Sequence, residues 1–127
     1  MDRAIRTIEW QRPTMDAPVD VTDQIESGVL SATPHPDDDI DEPKGYSVKL
    51  TLKPDSMAFA EALQEALLDM EPATVTVQLE GIETPFAEVP VSVSKVPYPG
   101  EGDGAQNRTE MGVKPEAHDR FHEYFVD

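Results

Sequence analysis

Between Gly45 and Lys53 the chain alternates with a period of two: Tyr46, Val48, Leu50 and Leu52 against Ser47, Lys49, Thr51 and Lys53. Successive side chains on a strand point to opposite faces, so this stretch buries its apolar set only as a β-strand with one wet face. A helix would scatter the same residues around its circumference. Two later stretches obey the same rule. Val75, Val77 and Leu79 alternate with Thr74, Thr76, Gln78 and Glu80, and Val89, Val91 and Val93 mark one face of the stretch 86–96. Pro90 cannot donate to a ladder, so that third strand is expected at an edge or at a bulge. Between the first two strands, Pro54 stops the extended run and Asp55-Ser56 supplies N-cap chemistry. From Met57 to Met70, Ala60, Leu63, Leu67 and Met70 then recur at helical spacing, joined by Phe59 and Ala66. Glu61, Gln64, Glu65 and Asp69 take the other side, and Pro72 ends the helix.

These periodicities predict an α+β fold: a mostly antiparallel sheet with one amphipathic helix packed on it, a β-α-β-β core over residues 45–96. Residues 1–44 read as an extended, β-rich N-terminal arm, with short strands at 3–10, 19–25 and 28–33 separated by Pro13, Pro18 and Pro34. Residues 97–116 read as a loop without periodicity, and 117–127 as a short helical tail with Ala117, Phe121, Tyr124 and Phe125 on one face. At 127 residues the whole is one domain. An apolar content of 38 %, interrupted by 12 Pro, limits the expected core to part of the chain.

Charge restricts the partners. There are 26 acidic and 10 basic residues, a formal net charge of −16. The blocks 1–44, 45–96 and 97–127 net −7, −5 and −4, so the charge is spread and not confined to a tail. Such self-repulsion opposes compaction at ordinary ionic strength, whereas molar salt shortens the Debye length to ~3 Å. In this acid excess on every segment, with five Lys and five Arg, the chain resembles the proteins of salt-in halophilic archaea. No basic stripe is present to displace counterions from phosphates, which argues against direct nucleic-acid binding.

The catalytic and metal-binding motifs are fragments. With no Cys there is no disulfide, thiolate site or thiol nucleophile. His118 and His122 stand at the i, i+4 spacing that zinc sites use, but Asp119, Arg120 and Phe121 between them do not form the metalloprotease pattern and no third ligand is indicated. They are expected as solvent-side histidines opposite the aromatic stripe. Asp37, Asp39 and Asp41 match the first three ligand positions of an EF-hand loop. Glu42 then replaces the turn Gly, Pro43 follows, and Val48 replaces the closing Glu. A solvated acidic loop is the expectation. His35-Pro36-Asp37 spells the tripeptide of J-domain co-chaperones, but in a proline-broken loop and not between helices. Asn107-Arg108-Thr109 is a formal glycosylation sequon, while Met1-Asp2-Arg3-Ala4-Ile5-Arg6 lacks the apolar run of a secretory signal and no stretch has membrane-spanning length. Glu61 and Glu65 belong to the wet face of the helix. The chain is therefore expected to be a soluble non-enzyme with no catalytic residue, cofactor, metal or membrane contact.

Fixing extended arms costs ~1–2 kcal/mol per residue, so arms order only by burying surface against a partner. Trp10, Tyr98, Phe121, Tyr124 and Phe125 are the candidate interface anchors. A compact core with projecting arms resembles the small virion proteins of tailed viruses: neck, tail-completion and capsid-decoration subunits. Val19-Asp20-Val21-Thr22-Asp23 is similar to the short Asp-Val-Thr or Asp-Ile-Thr openings of some tail and baseplate subunits. Together with the halophile-like composition, the resemblance implies a structural subunit in the virion of a tailed virus of halophilic archaea. It would be made in the host cytoplasm and assemble with itself and other virion subunits through arms and edge strands. The alternatives are a cytoplasmic protein-binding or regulatory module of a halophile, and an acidic DNA-mimic inhibitor. The last calls for acids gathered on one face, which the even spread of charge does not provide.

Overall fold

Seven strands and two short helices make up the computed structural model, which describes residues 2–34, 43–53, 57–70, 72–95 and 108–125. The strands are β1 (Asp2–Gln11), β2 (Val19–Asp20), β3 (Ile25–Thr33), β4 (Gly45–Leu52), β5 (Ala73–Leu79), β6 (Phe86–Lys95) and β7 (Arg108–Val113). Helix α1 spans Met57–Leu68 and α2 spans His122–Phe125, with 3₁₀ turns at Thr22–Gln24 and Pro115–Arg120. The sheet order is β2-β1-β3-β4-β7-β6-β5, and β5 pairs back onto β1, so six antiparallel strands close into a barrel with β2 appended to β1.

The expected α+β arrangement, with a helix lying on an open sheet, is therefore replaced by a mostly-β closed barrel. The N-terminal stretch supplies the closure. Ile8 faces Val77 and Trp10 faces Val75 across the β1–β5 ladder, while Arg3 and Ala4 pair with Leu30 and Val29 of β3. The sequence places strands at 3–10 and 28–33, and bulges interrupt the alternation of both. In β1 the register slips between Ile5 and Thr7, so the buried residues are Ile5, Ile8 and Trp10, without alternation. In β3 it slips between Ile25 and Ser27, and the inward position after Ile25 is Gly28. A Cβ at Gly28 would lie 2.7 Å from Leu50 Cδ2, so the interior there has room for backbone only. β7 comes from the stretch expected to be loop, with Thr109, Met111 and Val113 inward. Its first inward residue is polar, and the Thr109 hydroxyl is accommodated by donating to the Lys95 carbonyl at 2.6 Å.

The three strands read from alternation are present. Tyr46, Val48, Leu50, Leu52, Val75, Val77, Leu79, Val89, Val91 and Val93 all face the core. β6 is an interior strand and not an edge, because β5 and β7 flank it. A bulge precedes Pro90: the register slips between Val89 and Phe86, Glu88 takes φ +52°, and its N–H donates to Thr76 Oγ1.

Each barrel end has its own cover. α1 joins the end of β4 to the start of β5 and packs against β6, burying Phe59, Ala60, Leu63 and Ala66. Phe59 meets Trp10 edge to face at 5.9 Å. Leu67 is half-buried, and Met70, expected on the buried face, is 89 % exposed. At the opposite end the chain leaving β7 folds over the barrel mouth. Phe121 is fully buried there, 4.8 Å from the Phe86 ring and 5.4 Å from Tyr46. The Arg3 Nε–H donates to the Tyr124 carbonyl at 2.9 Å, tying the two ends of the chain together.

Phe121→Ala is therefore expected to lower the unfolding free energy of the whole barrel by about 3–5 kcal/mol. Urea denaturation followed by circular dichroism measures it. A loss under about 1 kcal/mol would mean that the C-terminal segment is peripheral to the core.

Candidate functional site

The five aromatic anchor candidates do not share a surface. Trp10 and Phe121 are 2 % and 0 % exposed, so both belong to the chain's own core. The Trp10 indole Nε1 has no acceptor among the described residues, and the ring contributes as an apolar body against Phe59. Tyr124 is half-buried against Phe86. Tyr98 and the Phe125 side chain lie outside the described residues. Anchors of this size were expected outside because no core was assigned to the arms. Once the arms are barrel strands and a barrel cover, that core exists.

His118 and His122 turn inward instead of facing solvent. Both rings pack against Tyr46, at 5.4 and 5.7 Å. His118 Nε2 lies 3.0 Å from the Val113 carbonyl, which can only accept, so Nε2 carries the proton. His122 Nδ1 shares a 2.6 Å hydrogen bond with the Tyr46 hydroxyl, and its Nε2 is 3.6 Å from Asp119. The two histidines thus bind the cover to the barrel mouth. Among the described residues no three His, Asp or Glu side chains converge as metal ligands. The Asp37–Asp41 run, His35 and Asn107 lie outside those residues. Glu65, with Asp69, pairs with Arg12 at 2.9 and 3.6 Å, fastening α1 to the end of β1.

The Asp20-Val21-Thr22 motif has a structural task. β1 pairs with β3 over Asp2–Ala4 and with β2 at Glu9 and Trp10, leaving a gap in the seam around Ile8. Thr22 fills it: Ile8 N–H donates to Thr22 Oγ1 at 3.0 Å, and the Thr22 hydroxyl lies 3.3 Å from the Ile8 carbonyl. Val21 N–H donates to that same carbonyl at 3.1 Å. Asp20 Oδ1 accepts the Thr22 N–H at 2.9 Å, an Asx-type turn that presents the threonine. Hydrogen bonding from Thr22, side chain first and then backbone, holds the Asp20 carboxyl below its ordinary range against a small opposing effect of burial.

Several surface features stand out among the described residues, including a groove of about 340 Å³ between Arg12, Pro72, Glu88 and Lys114. Leu68 and Met70, 82 % and 89 % exposed, project from the C-terminal end of α1. Met70 lines a groove of about 170 Å³ together with Ala66, Leu67, Ser92 and Val93. β2 has a free outer edge and carries Val19, 48 % exposed. A groove of about 280 Å³ crosses the outer face of β3, β4, β7 and β6, and Lys49, Lys95 and Arg108 line it. Alternation marked Lys49 as outward, but its clustering with Lys95 and Arg108 depends on pairings between distant segments. A comparison with protein-family models, one with curated proteins and one with solved structures each return no match to this chain.

Thr22→Val leaves the buried seam without its bridge and is expected to cost about 1–3 kcal/mol. It is also expected to raise the Asp20 pKa toward the ordinary carboxylate range, observable in an NMR titration of the side-chain carbonyl carbon. The folded-state pKa of Asp20 is depressed, so its contribution is complete above the unfolded-state value and is lost as pH falls through the folded one. Acid titration of stability should accordingly be shallower in Thr22→Val than in the wild type.

Proposed function

We propose that this chain is a non-enzymatic structural protein that assembles with copies of itself and with other subunits. We place it in the virion of a tailed virus of halophilic archaea. The observation that carries the assembly reading is the exposure of Leu68 and Met70 at the C-terminal end of α1, where Met70 lines a groove with Ala66, Leu67, Ser92 and Val93, on a chain of net charge −16. Fully burying a Leu or Met side chain is worth ~1.5–3 kcal/mol, and most large apolar residues of the described chain are already inside. The free β2 edge adds a second point of attachment by strand addition. The closed barrel leaves its remaining strands without free edges, which limits assembly to a few defined contacts.

The halophilic setting rests on the charge. The seven strands carry six acidic and five basic residues, so nearly all of the net charge of −16 belongs to the segments of the chain between and beyond them. Molar salt screens the resulting repulsion to ~3 Å. The virion assignment rests on the resemblance in size to small neck, tail and decoration subunits and on the Val19-Asp20-Val21-Thr22-Asp23 stretch.

Sedimentation and light scattering in molar KCl are expected to give a particle of several times 14.0 kDa. Leu68→Ser/Met70→Ser should shift it toward the monomer without unfolding it. A wild-type protein that remains 14.0 kDa at every concentration and salt level would refute self-assembly. The melting temperature should climb between 0.1 M and molar KCl, and a flat profile would remove the halophilic part alone.

A further inference from the structure

Two patches of opposite sign meet at the C-terminal end of β6. The first is the outer stripe of α1 and the turn that follows it. Glu61, Glu65 and Leu68 recur at helical spacing on the exposed side, with Asp69 and Met70 exposed beside Leu68. Arg12 answers Glu65 and Asp69, so three acids against one base leave this patch two charges negative around two exposed apolar side chains. Met70 takes φ +51°, the left-handed conformation in which helices commonly end on glycine, yet it keeps a large side chain that is 89 % exposed. The second patch is the groove of about 280 Å³ over β3, β4, β7 and β6. Lys49 and Lys95 flank Glu110 in register, and Arg108 precedes Glu110 by two residues on the same face of β7. Three bases against one acid leave this patch two charges positive. β6 joins the two: Ser92 and Val93 line the groove beside Met70, and Lys95, about 7 Å further along the strand, lines the cationic one.

We propose that these patches are the two halves of a two-fold contact between copies of this chain, the negative α1 patch of each seated on the cationic groove of the other. The proposal deepens the assembly reading and rests on it. Charge complementarity selects the occupant, because the excess on one patch equals the excess of opposite sign on the other. A surface that carries both signs side by side complements itself after half a turn, so each copy gives and receives the same contact. Leu68 and Met70 supply the apolar centre that such a contact needs, with the charges at its rim. The pair closes on itself and leaves the β2 edge for larger assemblies. A net charge of −16 does not oppose it at close range. At about 0.15 M salt the Debye length is about 8 Å, so charges brought into contact attract while most of the repulsion between the remaining parts of the two chains is screened.

Charge reversal of each half tests the contact. Lys49→Glu/Lys95→Glu reverses the groove. Glu61→Lys/Asp69→Lys reverses the helix patch and leaves Glu65 to Arg12. Sedimentation velocity at about 0.15 M salt, with circular dichroism to verify folding, should find each variant dimerising about 10–100-fold more weakly than the wild type. An equimolar mixture of the two should regain dimers, because in the mixed pair each patch again meets its opposite. Lys49→Gln/Lys95→Gln, which adds no carboxylate beside Glu110, should weaken dimerisation as well, and molar KCl should narrow its gap from the wild type. Met70→Gly, which suits a backbone at φ +51°, should weaken dimerisation without lowering the melting temperature. If both groove variants dimerise like the wild type while Leu68→Ser/Met70→Ser does not, this contact is overturned and assembly through the apolar patch stands. Weakening in both reversed variants with no recovery in the mixture would mean that the two patches do not face each other, which also overturns it. A wild type that stays monomeric under all conditions removes this contact and the assembly reading together.

Discussion

The pairing of β1 with β5 turns a set of strands into a container. Without it, β1, β3, β4, β7, β6 and β5 would form an open sheet with two long hydrogen-bonding edges and an apolar face awaiting a second layer. A single 12-residue helix is too small to be that layer. Closure removes both edges and places the inward residues of all six strands against one another. Ile8 and Trp10 opposite Val77 and Val75 are the contacts across this seam. The Thr22 bridge to Ile8 repairs the neighbouring one, where β1 exchanges β3 for β2.

A small barrel still has two open mouths, and the rest of the chain is disposed around them. α1 covers one, secured by the Trp10–Phe59 contact and by Arg12 to Glu65 and Asp69. The segment after β7 covers the other, secured by Phe121, by two histidines against Tyr46 and by Arg3 to the Tyr124 carbonyl. Trp10 and Phe59 meet at one cover, and Tyr46, Phe86 and Phe121 at the other. Phe121, which sequence pattern assigns to an interface, is thereby internal, and Tyr124 is half-buried. Among the described residues the large hydrophobic side chains left exposed are instead Val19, Leu68 and Met70.

The net charge has little to do with the barrel strands. The seven strands carry six acidic and five basic residues, and their other outward positions are largely Ser and Thr, so nearly all of the −16 belongs to the rest of the chain. Its cost is long-range repulsion that ionic strength controls.

Local chemistry determined the elements whose signals are local. Strict alternation identified β4, β5 and the inward valines of β6, and spacing with flanking Pro and Asp-Ser identified α1. The outward placement of Lys49, one of the three cations of the groove, was legible in the same way. Closure was not legible, because it joins residues about seventy positions apart. The strands that achieve it also break the periodic pattern: a slip after Ile5, a slip and an inward glycine in β3, and a buried threonine at the start of β7. A bulge exchanges the faces of every residue beyond it, so a period-two search finds short discontinuous strands where one long strand exists. Nor could sequence reveal that Lys49, Lys95 and Arg108 share a groove, or that His118 and His122 flank Tyr46. Those meetings are made by the β4–β7 and β6–β7 ladders and by the cover that follows β7. Alternation specifies which face of each strand is apolar, and only long-range pairing specifies which strands share that interior.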